Sequence, residues 1–119
     1  MISERGTSFG YDNLIVDMLG LGYMRKTLED IPIILDVTHS LQNREVGATS
    51  SGGRRSQFMD LARAGVGLGI AGVFMEAHPD PNLALCDGPS ALPLAKLEPV
   101  LEQLHTLDLC VKTLPDIDI

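Results

Sequence analysis

Two short runs constrain this chain most: Pro32-Ile33-Ile34-Leu35-Asp36-Val37 and Gly72-Val73-Phe74-Met75-Glu76. Each is continuously apolar in character rather than alternating, the pattern of strands buried on both faces and hence of a parallel sheet. Parallel neighbours need a crossover, and a helical stripe lies between them. Phe58, Leu61, Ala62 and Gly65 fall at i, i+3, i+4, i+7, predicting a helix that starts near Arg54 or Arg55. An earlier stripe of Ile15, Met18, Leu19 and Gly22 predicts a helix capped by Asp12 or Asn13 and running through Lys26. Gly20 and Gly22 should weaken its second half by about 1 kcal/mol each. Leu97, Leu101 and Leu104 mark a core-facing stripe in a third helix, from about Leu94 to Lys112. With Met1-Ile2-Ser3-Glu4 as a short first strand, the order is βαβαβα, an α/β architecture with right-handed crossovers. A sheet of three parallel strands leaves two long edges open.

Composition narrows the function. The chain has 119 residues, 45% of them hydrophobic, which places it among packed rather than disordered sequences. Sixteen acidic against nine basic residues give a formal charge of −7, the wrong sign for a wide nucleic-acid footprint. Aromatics at 4% with no Trp leave no base-stacking platform. No apolar run approaches the roughly 20 residues that span a bilayer, so neither nucleic acid nor membrane is an expected partner. Cys86 and Cys110 stand alone without CxxC spacing, and no signal-peptide pattern opens the chain, which predicts a reduced, cytoplasmic protein. There is no repeat and no composition shift that would mark a domain boundary.

Polar residues at the ends of the buried runs carry the chemistry. Arg5 follows the first strand, Asp36 and His39 the second, and Glu76 with His78 close the third, while Asp87 can reach in from the last loop. Strand ends converge in a parallel sheet, so a cation, an imidazole and carboxylates would face one crevice: an acid/base or metal-ligand constellation with room for an anion. Each member also has a structural reading. Asp36 can satisfy local backbone donors as a loop-holding carboxylate. His39 alone is as well explained by a satisfied structural imidazole as by a functional one. His78, beside Pro79-Asp80-Pro81, reads as a turn residue, and His105 as a surface one. The segment Thr49-Ser50-Ser51-Gly52-Gly53-Arg54-Arg55 lets backbone amides approach an anion at a helix start, or is a flexible loop with two solvated arginines. It lacks P-loop spacing. Cys86 has no cationic neighbour in sequence to activate it as a nucleophile.

Five stretches in order, Glu4-Arg5-Gly6-Thr7-Ser8-Phe9-Gly10-Tyr11-Asp12-Asn13-Leu14, Asp36-Val37-Thr38-His39-Ser40-Leu41-Gln42, Ser51-Gly52-Gly53-Arg54-Arg55, Met75-Glu76-Ala77-His78-Pro79-Asp80-Pro81 and Cys86-Asp87-Gly88-Pro89-Ser90-Ala91-Leu92-Pro93-Leu94, closely resemble the 3-deoxy-D-manno-octulosonate 8-phosphate synthase family. The resemblance implies that residues 1–119 are the C-terminal part of a single (β/α)8 TIM-barrel domain of roughly 250 residues or more, comprising its last three strand-helix units, strands 6 to 8. It implies an aldol-type condensation of phosphoenolpyruvate with D-arabinose 5-phosphate and water, on the route to bacterial lipopolysaccharide. By the same resemblance Arg5 grips the phosphoenolpyruvate phosphate, and His39, Glu76 and Asp87 sit at the reacting centre. Arg54 and Arg55 are further substrate-binding candidates. Some members hold a divalent metal with those three residues plus a cysteine on the first strand, whereas others carry asparagine there and need none. Cys86 before Asp87-Gly88 resembles the metal-independent members, so no cofactor is favoured. The full-length family is commonly a homotetramer. Its lysines for phosphoenolpyruvate and its Arg-Ser pair for the sugar phosphate lie outside the matched part, so this chain alone is expected to be inactive. Two other readings are a related phosphoenolpyruvate-dependent synthase, such as the one opening the shikimate route, and a non-catalytic remnant or interaction module.

Overall fold

The computed structural model describes residues 1–8, 13–29, 31–44, 46–47, 50–115 and 117. Its elements in chain order are β1 (Ile2–Glu4), β2 (Thr7–Ser8), β3 (Leu14–Ile15), α1 (Met18–Thr27), β4 (Ile33–Asp36), β5 (Gln42–Asn43), β6 (Gly52–Gly53), α2 (Phe58–Gly67), β7 (Gly72–Phe74), β8 (Ala77–His78), β9 (Leu92–Pro93) and α3 (Leu97–Lys112). The architecture is mixed α/β. β1, β4 and β7 form a parallel sheet in that order, with Ile2 opposite Ile33 and Asp36 opposite Phe74. α1 and α2 make the two crossovers, and α3 packs on α2. Among the described residues the sheet stays open, with β1 and β7 as its edges.

Side-chain parity explains how the sheet is covered. Ile33, Leu35 and Val37 are buried in one core with Leu21 of α1, Phe58, Ala62 and Val66 of α2, and Val100 and Leu104 of α3. The opposite parity carries Ile34 and Phe74, which lie outside that core, and Phe74 is 47% exposed. So helices cover one face, while the other leads to the polar residues at the strand ends. Gly65 is what lets α2 approach so closely: a Cβ there would stand 2.5 Å from Leu35 Cδ2 and 3.2 Å from Ile70 Cδ1.

The first helix departs from the sequence expectation. Leu14–Ile15 pair antiparallel with Thr7–Ser8, so Ile15 is in a strand rather than on a helical stripe. The helix begins at Met18, and its cap is Asp17, whose carboxylate accepts the Leu19 N–H at 3.0 Å. Asn13 instead bridges Asn43, and Asp12 lies outside the described residues. The β-branched pair Ile15-Val16 suits an extended chain better than a helix interior. Moving the start rotates the buried face: Leu21 is fully buried and Leu19 is 86% exposed. In α3 the buried stripe is Val100 and Leu104, with Leu101 half exposed, and a single 3-10 turn over Leu94–Lys96 precedes it. A similar turn, Arg55–Gln57, leads into α2. His105 is exposed, in keeping with the surface reading.

Candidate functional site

The end of β4 builds the site. Asp36 is 6% exposed, and its Oδ1 accepts the N–H groups of Thr38 at 3.0 Å and His39 at 2.8 Å, closing the chain into a 3-10 turn over His39–Leu41. Its Oδ2 stands 2.8 Å from His39 Nδ1. One carboxylate thus holds the loop, as the structural reading expected, and also orients the imidazole, a use that reading did not include. An ionised carboxylate can only accept, so Nδ1 carries hydrogen and Nε2 points away from Asp36.

Nε2 faces two more carboxylates. Glu76 Oε2 lies 3.7 Å and Asp87 Oδ2 3.8 Å from it. These separations are too long for hydrogen bonds, yet the donor atoms of His39, Glu76 and Asp87 all lie within 4.8 Å of one another. One imidazole and two carboxylates on converging chains suit a proton relay, and they also suit a divalent first-row cation, with Asp36 as the outer partner that orients the ring. Phe74 stacks against the imidazole with centroids 5.8 Å apart.

The loops are seated by specific contacts. The fully buried Thr38 accepts the Glu76 N–H at 2.8 Å, tying the end of β4 to that of β7. Asp87 sits at φ +53, a left-handed conformation that Asp tolerates better than most residues. Its carbonyl accepts the N–H groups of Ser90 and Ala91. Gly53 runs against Pro89 and Ser90 so closely that a Cβ there would overlap the Pro89 backbone. Arg55 donates to the Gly88 carbonyl, and Arg54 donates to the carbonyls of Leu14 at 2.7 Å and Ser40 at 3.1 Å. Both arginines therefore spend N–H groups on backbone carbonyls around the site.

Arg5 follows β1, is exposed, and donates to Gln42 Oε1 at 3.1 Å, while Gln42 Nε2 donates to Asp87 Oδ1. Arg5, His39, Glu76 and Asp87 are thereby brought to one end of the sheet. His78 is not among them: its Nδ1 accepts the Asp80 N–H in a local turn. Gln42 was missed by residue-type reasoning; its sequence signals are its place three residues after His39 and its closing position in the Asp36–Gln42 stretch that carries the resemblance. Cys86 is exposed, and its hydrogen bond to Asp87, reinforced by the negative charges of Asp87 and Glu76, pushes the thiol pKa up, which disfavours the thiolate. The Gly10-Tyr11-Asp12 stretch and Thr49 lie outside the described residues. Among the described residues no helix is long and apolar enough to cross a membrane.

Comparison with known proteins adds relatives to this geometry. A protein named 2-dehydro-3-deoxyphosphooctonate aldolase from Parasynechococcus marenigrum (strain WH8102) is 62% identical over 119 residues, which is all of this chain and 42% of the relative. Proteins of the same name from Pseudomonas putida (strain W619) and Janthinobacterium sp. (strain Marseille) are each 62% identical, over 97% and 100% of this chain. The chain spans about two fifths of the length of these curated relatives. The family model described as the DAHP synthetase I family matches residues 1–113. With a match over almost its whole length, the chain belongs to the DAHP synthetase I family.

Proposed function

We propose that this chain carries part of the active site for condensing phosphoenolpyruvate with D-arabinose 5-phosphate and water to 3-deoxy-D-manno-octulosonate 8-phosphate and inorganic phosphate. The observation that carries the reading is the convergence of His39 Nε2 with the Glu76 and Asp87 carboxylates, within 4.8 Å, in a chain whose relatives bear the octonate aldolase name. In this reaction carbon 3 of phosphoenolpyruvate attacks the sugar aldehyde and water attacks carbon 2. Protons must move at both centres, and anionic oxygens need cations. Arg5, exposed and forked, grips the phosphate. His39, with its ring fixed by Asp36, and the two carboxylates handle the protons.

The finer fold belongs to the same proposal. Parallel sheets normally have both faces covered, whereas here Ile34 and Phe74 face away from the core and both β1 and β7 are edges. Three adjacent strands with helices on one side suit the last three units of a (β/α)8 barrel, with the chemistry at their carboxyl ends. We favour a cytoplasmic enzyme that works without a metal, because Cys86 before Asp87-Gly88 resembles the metal-independent members. If a divalent metal is used, His39, Glu76 and Asp87 hold it, and it supplies Lewis-acid polarisation of a substrate oxygen.

Two experiments test the reading. The purified chain, given both substrates, releases no phosphate above background, because the lysines and the Arg-Ser pair that the resemblance assigns to the two substrates lie outside the matched part. Grafted in place of the matching segment of the Pseudomonas putida relative, the same 119 residues restore phosphate release with arabinose 5-phosphate, and the H39A graft does not. A graft that turns over erythrose 4-phosphate instead would place the chain with the shikimate-route synthases, the second reading that the family description favours.

A further inference from the structure

We infer that Gln42 is a positioning residue of this site, which couples the Arg5 guanidinium to Asp87 and fixes the Asp87 oxygen that turns to His39. Its importance rests on the role proposed above for the cluster. Gln42 opens β5 directly after the turn that carries His39, and its N–H closes that turn on the His39 carbonyl. Its side chain is half-buried between two groups of opposite demand. Arg5 can only donate, and an ionised Asp87 can only accept. A planar amide meets both at once, with Oε1 taking the Arg5 Nη2 hydrogen at 3.1 Å and Nε2 giving its own to Asp87 Oδ1. The two partners leave one amide orientation possible, so the choice of O and N is set by chemistry rather than by assignment. With Oδ1 engaged, Oδ2 is the oxygen left to face His39 Nε2, at 3.8 Å.

Other residue types fail at this position for identifiable reasons. Glutamate would set a second negative charge against Asp87, lysine would repel Arg5, and leucine would fill the space while offering neither bond. Asparagine is one methylene shorter, which draws its amide back from both partners. Gln42 therefore keeps the cation and the carboxylate in one register.

Manganese(II) alone, added to the purified chain and followed by the loss of its free-ion electron paramagnetic resonance signal, reports the convergence of the three donors without any turnover. H39Q serves as the null for the site, and thermal melting by circular dichroism reports the fold. The expected result is that Q42L weakens manganese binding about tenfold or more, the usual cost of removing an outer-shell partner, with the melting midpoint unchanged. Three outcomes overturn the inference: Q42L within twofold of the unaltered chain, loss of binding only in step with loss of fold, or an unaltered chain that binds no better than H39Q. A graft that fails to make product would remove the synthase reading and leave this result standing.

Discussion

Asp36 separates holding a loop from aiming a side chain, because its two oxygens do different work. Oδ1 accepts the Thr38 and His39 N–H groups, and Oδ2 takes His39 Nδ1. D36N keeps an acceptor for the two backbone donors and replaces the other oxygen with NH2. The imidazole answers by changing tautomer, so that Nδ1 accepts from the new amide and Nε2 carries the hydrogen toward Glu76 and Asp87. What is lost is the charge assistance of the hydrogen bonds, worth about 1–2 kcal/mol. D36A removes the acceptor altogether. Thr38 is fully buried, so its N–H has no water to turn to, and orphaned donors cost about 1–3 kcal/mol each. D36A is thus expected to cost about 2–6 kcal/mol, a large share of the 5–15 kcal/mol that holds a typical domain. Urea denaturation followed by far-UV circular dichroism measures both costs, and long-range proton-nitrogen correlation of the imidazole identifies the tautomer. Equal destabilisation by the two variants would show that Oδ1 does not hold the loop. An unchanged tautomer in D36N would show that Oδ2 does not set the ring.

Three further outcomes follow from the packing and the charges. G65A gains about 1 kcal/mol of helix propensity but forces a methyl onto the fully buried Leu35, an overpacking cost of about 1–3 kcal/mol; urea midpoints should fall for G65A and not for G67A, where a Cβ meets nothing within 4 Å. Cys86 should be alkylated by iodoacetamide more slowly at pH 8 than an ordinary exposed thiol, since Asp87 raises its pKa and less thiolate is present. D87N removes the charge and should speed Cys86 relative to Cys110, as read by peptide mass spectrometry. L19S, at an 86% exposed position, should leave the urea midpoint within about 0.5 kcal/mol of the unaltered chain, whereas L21A, fully buried, should cost about 2–5 kcal/mol.

What the sequence disclosed depended on whether neighbours along the chain or across the sheet set the structure. Continuous apolar runs located both β4 and β7, but only β4 is buried as the run implied; β7 is an edge strand with Phe74 47% exposed, because no further strand pairs with it among the described residues. The cluster residues followed from the rule that chemistry gathers at carboxyl ends. The start of α1 was hidden for a different reason. Ile15, Met18, Leu19 and Gly22 satisfy a helical period, yet Ile15 is claimed by pairing with Thr7, a partner that no local window contains. Once that pairing fixes the helix start at Asp17, the buried position becomes Leu21 and Leu19 turns outward. Gln42 was hidden in the same way. Glutamine is an ordinary polar residue until Arg5 and Asp87, distant on either side in sequence, are brought against its two ends. Titratable residues announce themselves because burying them uncompensated is costly. A neutral amide gives no such signal, so a residue that bonds to a cluster of titratable groups is harder to read from sequence than the cluster itself.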